Sequence, residues 1–207
     1  MTGRFIVAGT DTDVGKTVVA AGLAGALRAR YWKPVQAGLD GETDSDTVQR
    51  LTTGNATVLP EAYRLTTPCS PHEAARIDGV TIDPAHLALP EGDGPMVVEG
   101  AGGVLVPLSD DLLSADMFAR WALPVVLVAR TTLGTINHSL LTIEALRARA
   151  IPLAGVIFSG AEVAASEAAI VTIGDCPHIG RLPRLDPLNA GTLADAVRRH
   201  IRLDLLP

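Results

Sequence analysis

The segment Gly9-Thr10-Asp11-Thr12-Asp13-Val14-Gly15-Lys16-Thr17 has the residue types of a phosphate-binding loop. A glycine-bearing turn leaves backbone N–H groups free to face an anion, and a helix starting there adds partial positive charge. Lys16 would reach the β- and γ-phosphate oxygens, and the Thr17 hydroxyl would hold Mg²⁺. Five residues separate Gly9 from Gly15, where the usual pattern has four. The Gly-Lys-Thr tripeptide, set between an apolar run and an Ala-rich stretch, carries the reading. The plainer alternative is a tight turn with a helix cap.

A magnesium ion takes one or two carboxylates along with phosphate and water oxygens. Glu99 ends the apolar run Pro95-Met96-Val97-Val98 and precedes Gly100-Ala101-Gly102-Gly103. An acid at the end of a buried strand is placed to face a phosphate loop on a neighbouring strand; otherwise it is a loop or capping glutamate. Asp44 and Asp46, in Thr43-Asp44-Ser45-Asp46-Thr47, stand at the apparent start of a helix, where an acid is either a cap or a ligand. Composition does not choose between these roles. Lys33 sits before Pro34, which keeps it out of helix. It is either a solvated strand-end lysine or a cation poised to neutralise a developing anion.

These residues need elements to position them. Phe5–Ala8, Pro95–Glu99, Pro124–Ala129 and Pro152–Phe158 are apolar without alternation, as strands buried on both faces of a parallel sheet are. Thr17–Arg30, Asn137–Ala150 and Ala190–Ile201 carry helical patterns. Strands alternating with helices predict a doubly wound, mostly parallel α/β sheet with helices on both faces, of P-loop type. The 207 residues suit one nucleotide-binding domain over 1–207. The irregular stretch from Gly38 to Asp93, with its prolines, predicts short helices and long loops over one edge.

Composition removes other classes. Apolar residues make up 47% and charged residues 19%, an ordinary globular balance. The net charge of −6, with no Lys/Arg cluster, argues against a nucleic-acid or anionic-membrane partner. No apolar run approaches the about 18 residues of a membrane span, and no signal-peptide layout is present, so the expected location is the cytoplasm. Cys69 and Cys176 form no CxxC pair and read as two buried reduced thiols.

The quoted loop, with Lys33-Pro34-Val35-Gln36, Ser45-Asp46, Ser70-Pro71-His72, Val98-Glu99-Gly100-Ala101-Gly102-Gly103 and Leu133-Gly134-Thr135-Ile136-Asn137-His138, resembles the dethiobiotin synthetase family over nearly the whole chain. The extra loop residue is itself a trait of that family. The resemblance implies an ATP-dependent ligase of biotin biosynthesis. It would join 7,8-diaminononanoate and CO₂ with MgATP, through a carbamate and a carbamic–phosphoric anhydride, giving dethiobiotin, ADP and phosphate. It implies that Lys16 stabilises the transferring phosphoryl group and Lys33 the carbamate. Thr17, Asp46 and Glu99 match the family's Mg²⁺ ligands. Asp13, Val14, Gly15, Val18, Gly100, Ala101, Gly102, Ser159, Pro183, Arg184 and Leu185 match nucleotide-contacting positions. Gly134, Thr135, Ile136 and Asn137 match a helix start that receives the substrate carboxylate across a homodimer interface.

The chain departs from the family in three places. It is short between Arg30 and Tyr31. Ala37 stands where many members carry Ser or Thr. Ser159-Gly160 follows the fourth apolar run where an Asn often reads adenine. Partition and cell-division ATPases share the sheet and loop but carry an additional early lysine, whose place Asp11 holds. An amidotransferase of cobalamin synthesis would need a glutaminase domain, for which there is no room. His72 and His138 read as residues that orient loops, His86, His178 and His200 as surface or satisfied core residues, and Trp32 and Trp121 as packing residues.

Overall fold

The computed structural model describes residues 3–207. In chain order the elements are β1 (Arg4–Gly9), α1 (Lys16–Leu27), β2 (Arg30–Trp32), β3 (Val35–Ala37), α2 (Asp44–Thr52), β4 (Thr57–Val58), β5 (Tyr63–Leu65) and α3 (Pro71–Asp78). The second half adds β6 (Met96–Gly103), β7 (Pro107–Ser109), β8 (Leu112–Leu113), α4 (Ser114–Trp121), β9 (Val125–Arg130), α5 (Thr135–Arg147), β10 (Leu153–Ser159), α6 (Ala164–Ile173), β11 (His178–Leu182) and α7 (Ala190–His200).

The central sheet has seven strands in the order β11-β10-β9-β1-β6-β2-β4, all of them parallel to their neighbours. Parallel neighbours demand long crossovers, and these fill both faces with helices. The apolar runs show why. On β1, Phe5 and Val7 join the cluster that contains Leu23 of α1 and Val197 of α7. Ile6 and Ala8 point the other way, into the cluster of Phe118 of α4 and Leu146 of α5. A strand with two buried faces has no position for a polar side chain, hence the lack of alternation.

The four apolar runs are β1, β6, β9 and β10, and the three helical patterns are α1, α5 and α7. The first helix stops earlier than the sequence suggests. Arg28 adopts a left-handed conformation (φ 49°), with its N–H on the carbonyls of Ala24 and Gly25, and Arg30 already belongs to β2. The fifth helix starts two residues before Asn137, at Thr135.

β1 lies between β6 and β9, so the sheet grows outward on either side of it and a crevice opens beyond its carboxyl end. The Gly38–Asp93 stretch roofs that crevice. β3 and β5 pair in a small parallel sheet, and Val35, Leu65, Ala74 and Leu87 form a core of their own with Leu108 and Met117. Trp32 and Trp121 are packing residues, with ring centroids 5.7 Å apart and indole N–H groups donated to Pro60 O and Leu87 O. Both cysteines are free thiols, but neither is buried: Cys176 is half-buried and Cys69 is exposed. It sits on the loop before α3, where no core reaches it. Among the described residues no helix is long and apolar enough to cross a membrane.

Candidate active site

The loop after β1 is built for an anion. Gly15 caps α1 with φ 90° and no side-chain hydrogen bond, so the first N–H groups of the helix have no partner within it. A Cβ on Gly15 would lie 2.6 Å from Ser159 Oγ, and one on Gly9 would lie 2.9 Å from Lys16 Nζ. Both glycines are therefore required, the first by conformation and the second because a Cβ there would also lie 2.7 Å from the Asp11 carbonyl oxygen, a backbone atom that cannot swing aside as the lysine could. Lys16 donates from Nζ to Asp11 O at 2.8 Å. Burial, and then the charge of Lys33, hold its pKa below the usual lysine value. A phosphate would supply the counter-charge it lacks.

Across the crevice stands a cluster drawn from four elements. Register pairs Val7 of β1 with Glu99 of β6, which places the glutamate beside the loop. Glu99 is wholly buried. Its Oε1 accepts from Thr17 Oγ1 at 2.9 Å and from Lys33 Nζ at 3.1 Å, and its Oε2 accepts from the Tyr31 hydroxyl at 2.8 Å. Asp44 Oδ1 lies 2.9 Å from Thr17 Oγ1, and Asp44 Oδ2 lies 2.7 Å from Lys33 Nζ. Lys33 also donates to Gly100 O at 3.2 Å. Burial alone would lower the Lys33 pKa, but Glu99 and Asp44 outweigh it and hold the ammonium charged beyond its usual range. Burial, followed by the two carboxylates, pushes the Tyr31 phenol well above its ordinary value, so it keeps the proton that it donates to Glu99.

Asp46 corrects the sequence expectation. It is not in this cluster. Its carboxylate accepts from the N–H and hydroxyl of Thr43, while Thr43 Oγ1 accepts from the Asp46 N–H. This is a reciprocal capping box at the start of α2. A helix turns about 100° per residue, so Asp44 and Asp46 face different ways. Asp44, at the first helical position, is the one that meets Thr17 and Lys33. Gln36 supports it, accepting from the Asp44 N–H at 3.3 Å.

The donor set suits a hard cation. The Thr17 hydroxyl has one proton for two carboxylate oxygens at equal distance, which leaves an uncompensated acceptor at the loop. Thr17, Asp44 and Glu99 offer only oxygen. Among the described residues no group of three His, Cys, Asp or Glu could enclose a metal alone. A cation here would need further oxygens from a bound phosphate.

Asp13, Gly15, Lys16, Thr17, Val18, Lys33, Glu99, Ala101 and Gly102 line one cavity of about 710 Å³. Ala37, Asp44, Cys69, Ser70 and Pro71 complete its wall. Val14 is a core residue, so only its backbone is available to a ligand. Gly100 lies behind the wall, its carbonyl taken by Lys33. Pro183, Arg184 and Leu185 follow β11 at the same end of the sheet, outside the cavity lining. Gly134, Thr135, Ile136 and Asn137 open α5 away from the cavity. Thr135 spends its hydroxyl on Arg130 O at 2.5 Å, while Ile136 and Asn137 are exposed. Of the histidines, only His72 adjoins the cavity wall; its Nδ1 has no partner. Sequence reasoning missed the roles of Tyr31 and Gln36. Asp44 was legible through Thr43-x-x-Asp46, since a capping-box spacing assigns the later acid to the cap.

The profile of a family described as "AAA domain" matches residues 3–192. ATP-dependent dethiobiotin synthetase BioD of Rhodopseudomonas palustris is 62% identical over 205 residues, covering 99% of this chain and 96% of that protein. BioD of Agrobacterium fabrum is 58% identical over 201 residues, covering 97% and 95%. Among solved structures, a ParA family ATPase from Chlorobium tepidum matches at TM-score 0.59 with 10% identity, covering 95% of this chain and 99% of that one. The cell-division ATPase MinD of Pyrococcus furiosus matches at TM-score 0.57 with 13% identity, covering 95% and 99%. At such identities the structural likeness establishes the α/β P-loop fold alone. The near-full-length identity to the synthetases goes further: the chain belongs to the ATP-dependent dethiobiotin synthetase family.

Proposed function

We propose that the protein catalyses its family's reaction, closing the cyclic urea of dethiobiotin from 7,8-diaminononanoate and CO₂ at the expense of ATP. One amine of the substrate captures CO₂ as a carbamate. A carbamate oxygen bonds to the γ-phosphorus as the bond to the bridging oxygen breaks, and ADP leaves. The second amine then bonds to the carbamate carbon and gives up a proton, and phosphate departs with the oxygen that carried it. Phosphoryl transfer of this kind depends on positioning and charge neutralisation more than on covalent catalysis.

The observation that carries this reading is the approach of Lys33, Asp44, Glu99 and Thr17 to the phosphate loop in one cavity. Lys16 and the unpartnered N–H groups of α1 would hold the β- and γ-phosphates. Lys33, kept cationic by two carboxylates, would hold the carbamate and balance the charge that grows as its oxygen is phosphorylated. Thr17, Asp44 and Glu99 would hold Mg²⁺, which supplies neutralisation of the triphosphate oxygens. Ser159, beside Gly15, and the Pro183–Leu185 segment would border the nucleotide.

We further infer a cytoplasmic homodimer. Leu133, Ile136 and Leu141 around α5 and Leu105 after β6 are large apolar side chains left exposed. The groove between these segments has about 480 Å³. A second copy seated there would bring the open start of α5, with Gly134–Asn137, to the partner's cavity, where its N–H groups could take a substrate carboxylate. Light scattering on the purified protein tests the dimer, with a monomeric mass at micromolar concentration overturning it.

The reaction is tested by following phosphate and product mass with MgATP and bicarbonate, with and without the diamine. Phosphate and dethiobiotin rising together only with the diamine is the expected result. Phosphate release indifferent to the diamine would overturn the assignment.

A further inference from the structure

We propose that Tyr31 is a positioning residue for the metal-bearing face of Glu99: its hydroxyl pins Oε2, so that Oε1 alone is presented to Thr17, Lys33 and a bound cation. This rests on the reading of Glu99 as a metal ligand.

Tyr31 is on β2 and Glu99 on the neighbouring β6, whose register sets Tyr31 opposite Val97 and Trp32 opposite Val98. The tyrosine ring belongs to the core cluster on the α1 face of the sheet, so its hydroxyl approaches Glu99 from the protein side. Both residues are wholly buried. Among the described residues, Tyr31 is the one side chain that donates to Oε2, at 2.8 Å, whereas Thr17 and Lys33 both serve Oε1. A buried carboxylate oxygen without a donor is costly, and no solvent reaches this one. Without the hydroxyl, the carboxylate would be free to turn Oε2 toward Thr17 and Lys33, and the edge offered to a cation would no longer be fixed. Groups that hold a metal ligand in place commonly contribute about 10–100-fold to metal affinity.

Tyr31→Phe keeps the ring and removes only the hydroxyl. The measurement is Mn²⁺ binding to the protein–ADP complex by electron paramagnetic resonance, with ADP affinity in EDTA and the melting temperature measured beside it. Glu99→Gln establishes the metal site by losing Mn²⁺ affinity. Tyr31→Phe should then weaken Mn²⁺ by about 10-fold or more, leave metal-free ADP binding within twofold, and raise the Mg²⁺ half-saturation of turnover more than it lowers kcat. Unchanged Mn²⁺ affinity in Tyr31→Phe, with Glu99→Gln impaired, overturns the role of Tyr31 and spares the metal site. Unchanged affinity in both overturns both. Should Tyr31→Phe fail to fold, fluorotyrosine labelling reads the same point in the intact protein, which has only two tyrosines. The Tyr31 fluorine resonance, assigned with Tyr63→Phe, should shift when Mg²⁺ is added to the ADP complex. A stationary Tyr31 signal contradicts the proposal.

Discussion

Asp44 Oδ2 lies 2.7 Å from Lys33 Nζ, while the Asp46 carboxylate, one half-turn further along α2, is folded back onto Thr43. Two acids separated by a single serine thus hold different posts. One faces the phosphate loop and the other closes a helix end.

Substitution separates the posts. Asp44→Asn should lower kcat/KM by roughly 10²-fold, the order that follows loss of one preorganised charge in such a site. Asp46→Ala should leave kcat/KM within about twofold, yet lower the urea midpoint, because Thr43 loses the carboxylate half of its reciprocal capping box. Steady-state assays beside urea unfolding of both variants check this. The reverse pattern would return Asp46 to the metal site.

Lys33 faces two carboxylates, one of them wholly buried. Lys33→Ala should abolish detectable turnover while MgATP binding survives, because on the proposed reading the phosphates would be held by Lys16 and the start of α1. It should also destabilise the metal-free protein by about 3–5 kcal/mol, since a buried anion loses its partner. Part of that loss should return with MgADP. Calorimetric scans in EDTA and in MgADP, with nucleotide titration, check both halves. Retained turnover removes Lys33 from the chemistry.

The same pair shapes the pH dependence of stability. Burial alone would raise the Asp44 carboxyl, but Lys33 and the hydrogen bonds from Lys33 and Thr17 outweigh it and hold it below the ordinary 3.8. Its contribution is therefore present above the unfolded value and lost as pH falls through the lower folded one. Lys33, held above 10.5, contributes below its unfolded value and loses that contribution as pH rises through the folded one. Unfolding of the metal-free protein across both limbs should show Asp44→Asn flattening the acid side and Lys33→Met the alkaline side. Unaltered limbs would contradict the coupling.

Gly15 tests the loop. Its φ of 90° and the 2.6 Å approach of a Cβ to Ser159 Oγ both forbid a side chain. Gly15→Ala should cost about 1–3 kcal/mol in backbone strain and lose MgATP affinity. Combining it with Ser159→Ala should relieve the contact but not the conformation, recovering stability only in part. Full recovery would show that φ was not limiting.

The four long apolar strands and the phosphate loop were legible because each is a local signal. Phe5–Ala8 can be buried on both faces only in a covered sheet, and Gly15-Lys16-Thr17 opens a helix directly after it. β11 was not legible, since the edge segment His178-Ile179-Gly180-Arg181-Leu182 mixes polar and apolar residues as a strand with one open side allows. β4 is two residues long, too short to show a period, whereas the short strand ending at Trp32 was legible because Pro34 keeps Lys33 out of helix. At the site, Lys16 and Thr17 were read from the loop that opens the first helix, and Glu99 from the end of an apolar strand. Tyr31 and Gln36 act across strands and loops, and those contacts exist only once the sheet order is known. Asp44 stands two residues from an acid of the same type, and what separates them, the contacts of Asp44 with Thr17 and Lys33, crosses from α2 to other elements.

On the proposed mechanism this cavity transfers the γ-phosphoryl group to an oxygen derived from CO₂. Mixing the protein, MgATP and the diamine with C¹⁸O₂ in unlabelled water, and measuring phosphate by mass before the label exchanges, tests it directly. Transfer to a carbamate oxygen should give one ¹⁸O in each phosphate released, dependent on the diamine and lost in Lys33→Ala. Phosphate that carries only solvent oxygen would mean that water is the acceptor, and would contradict it.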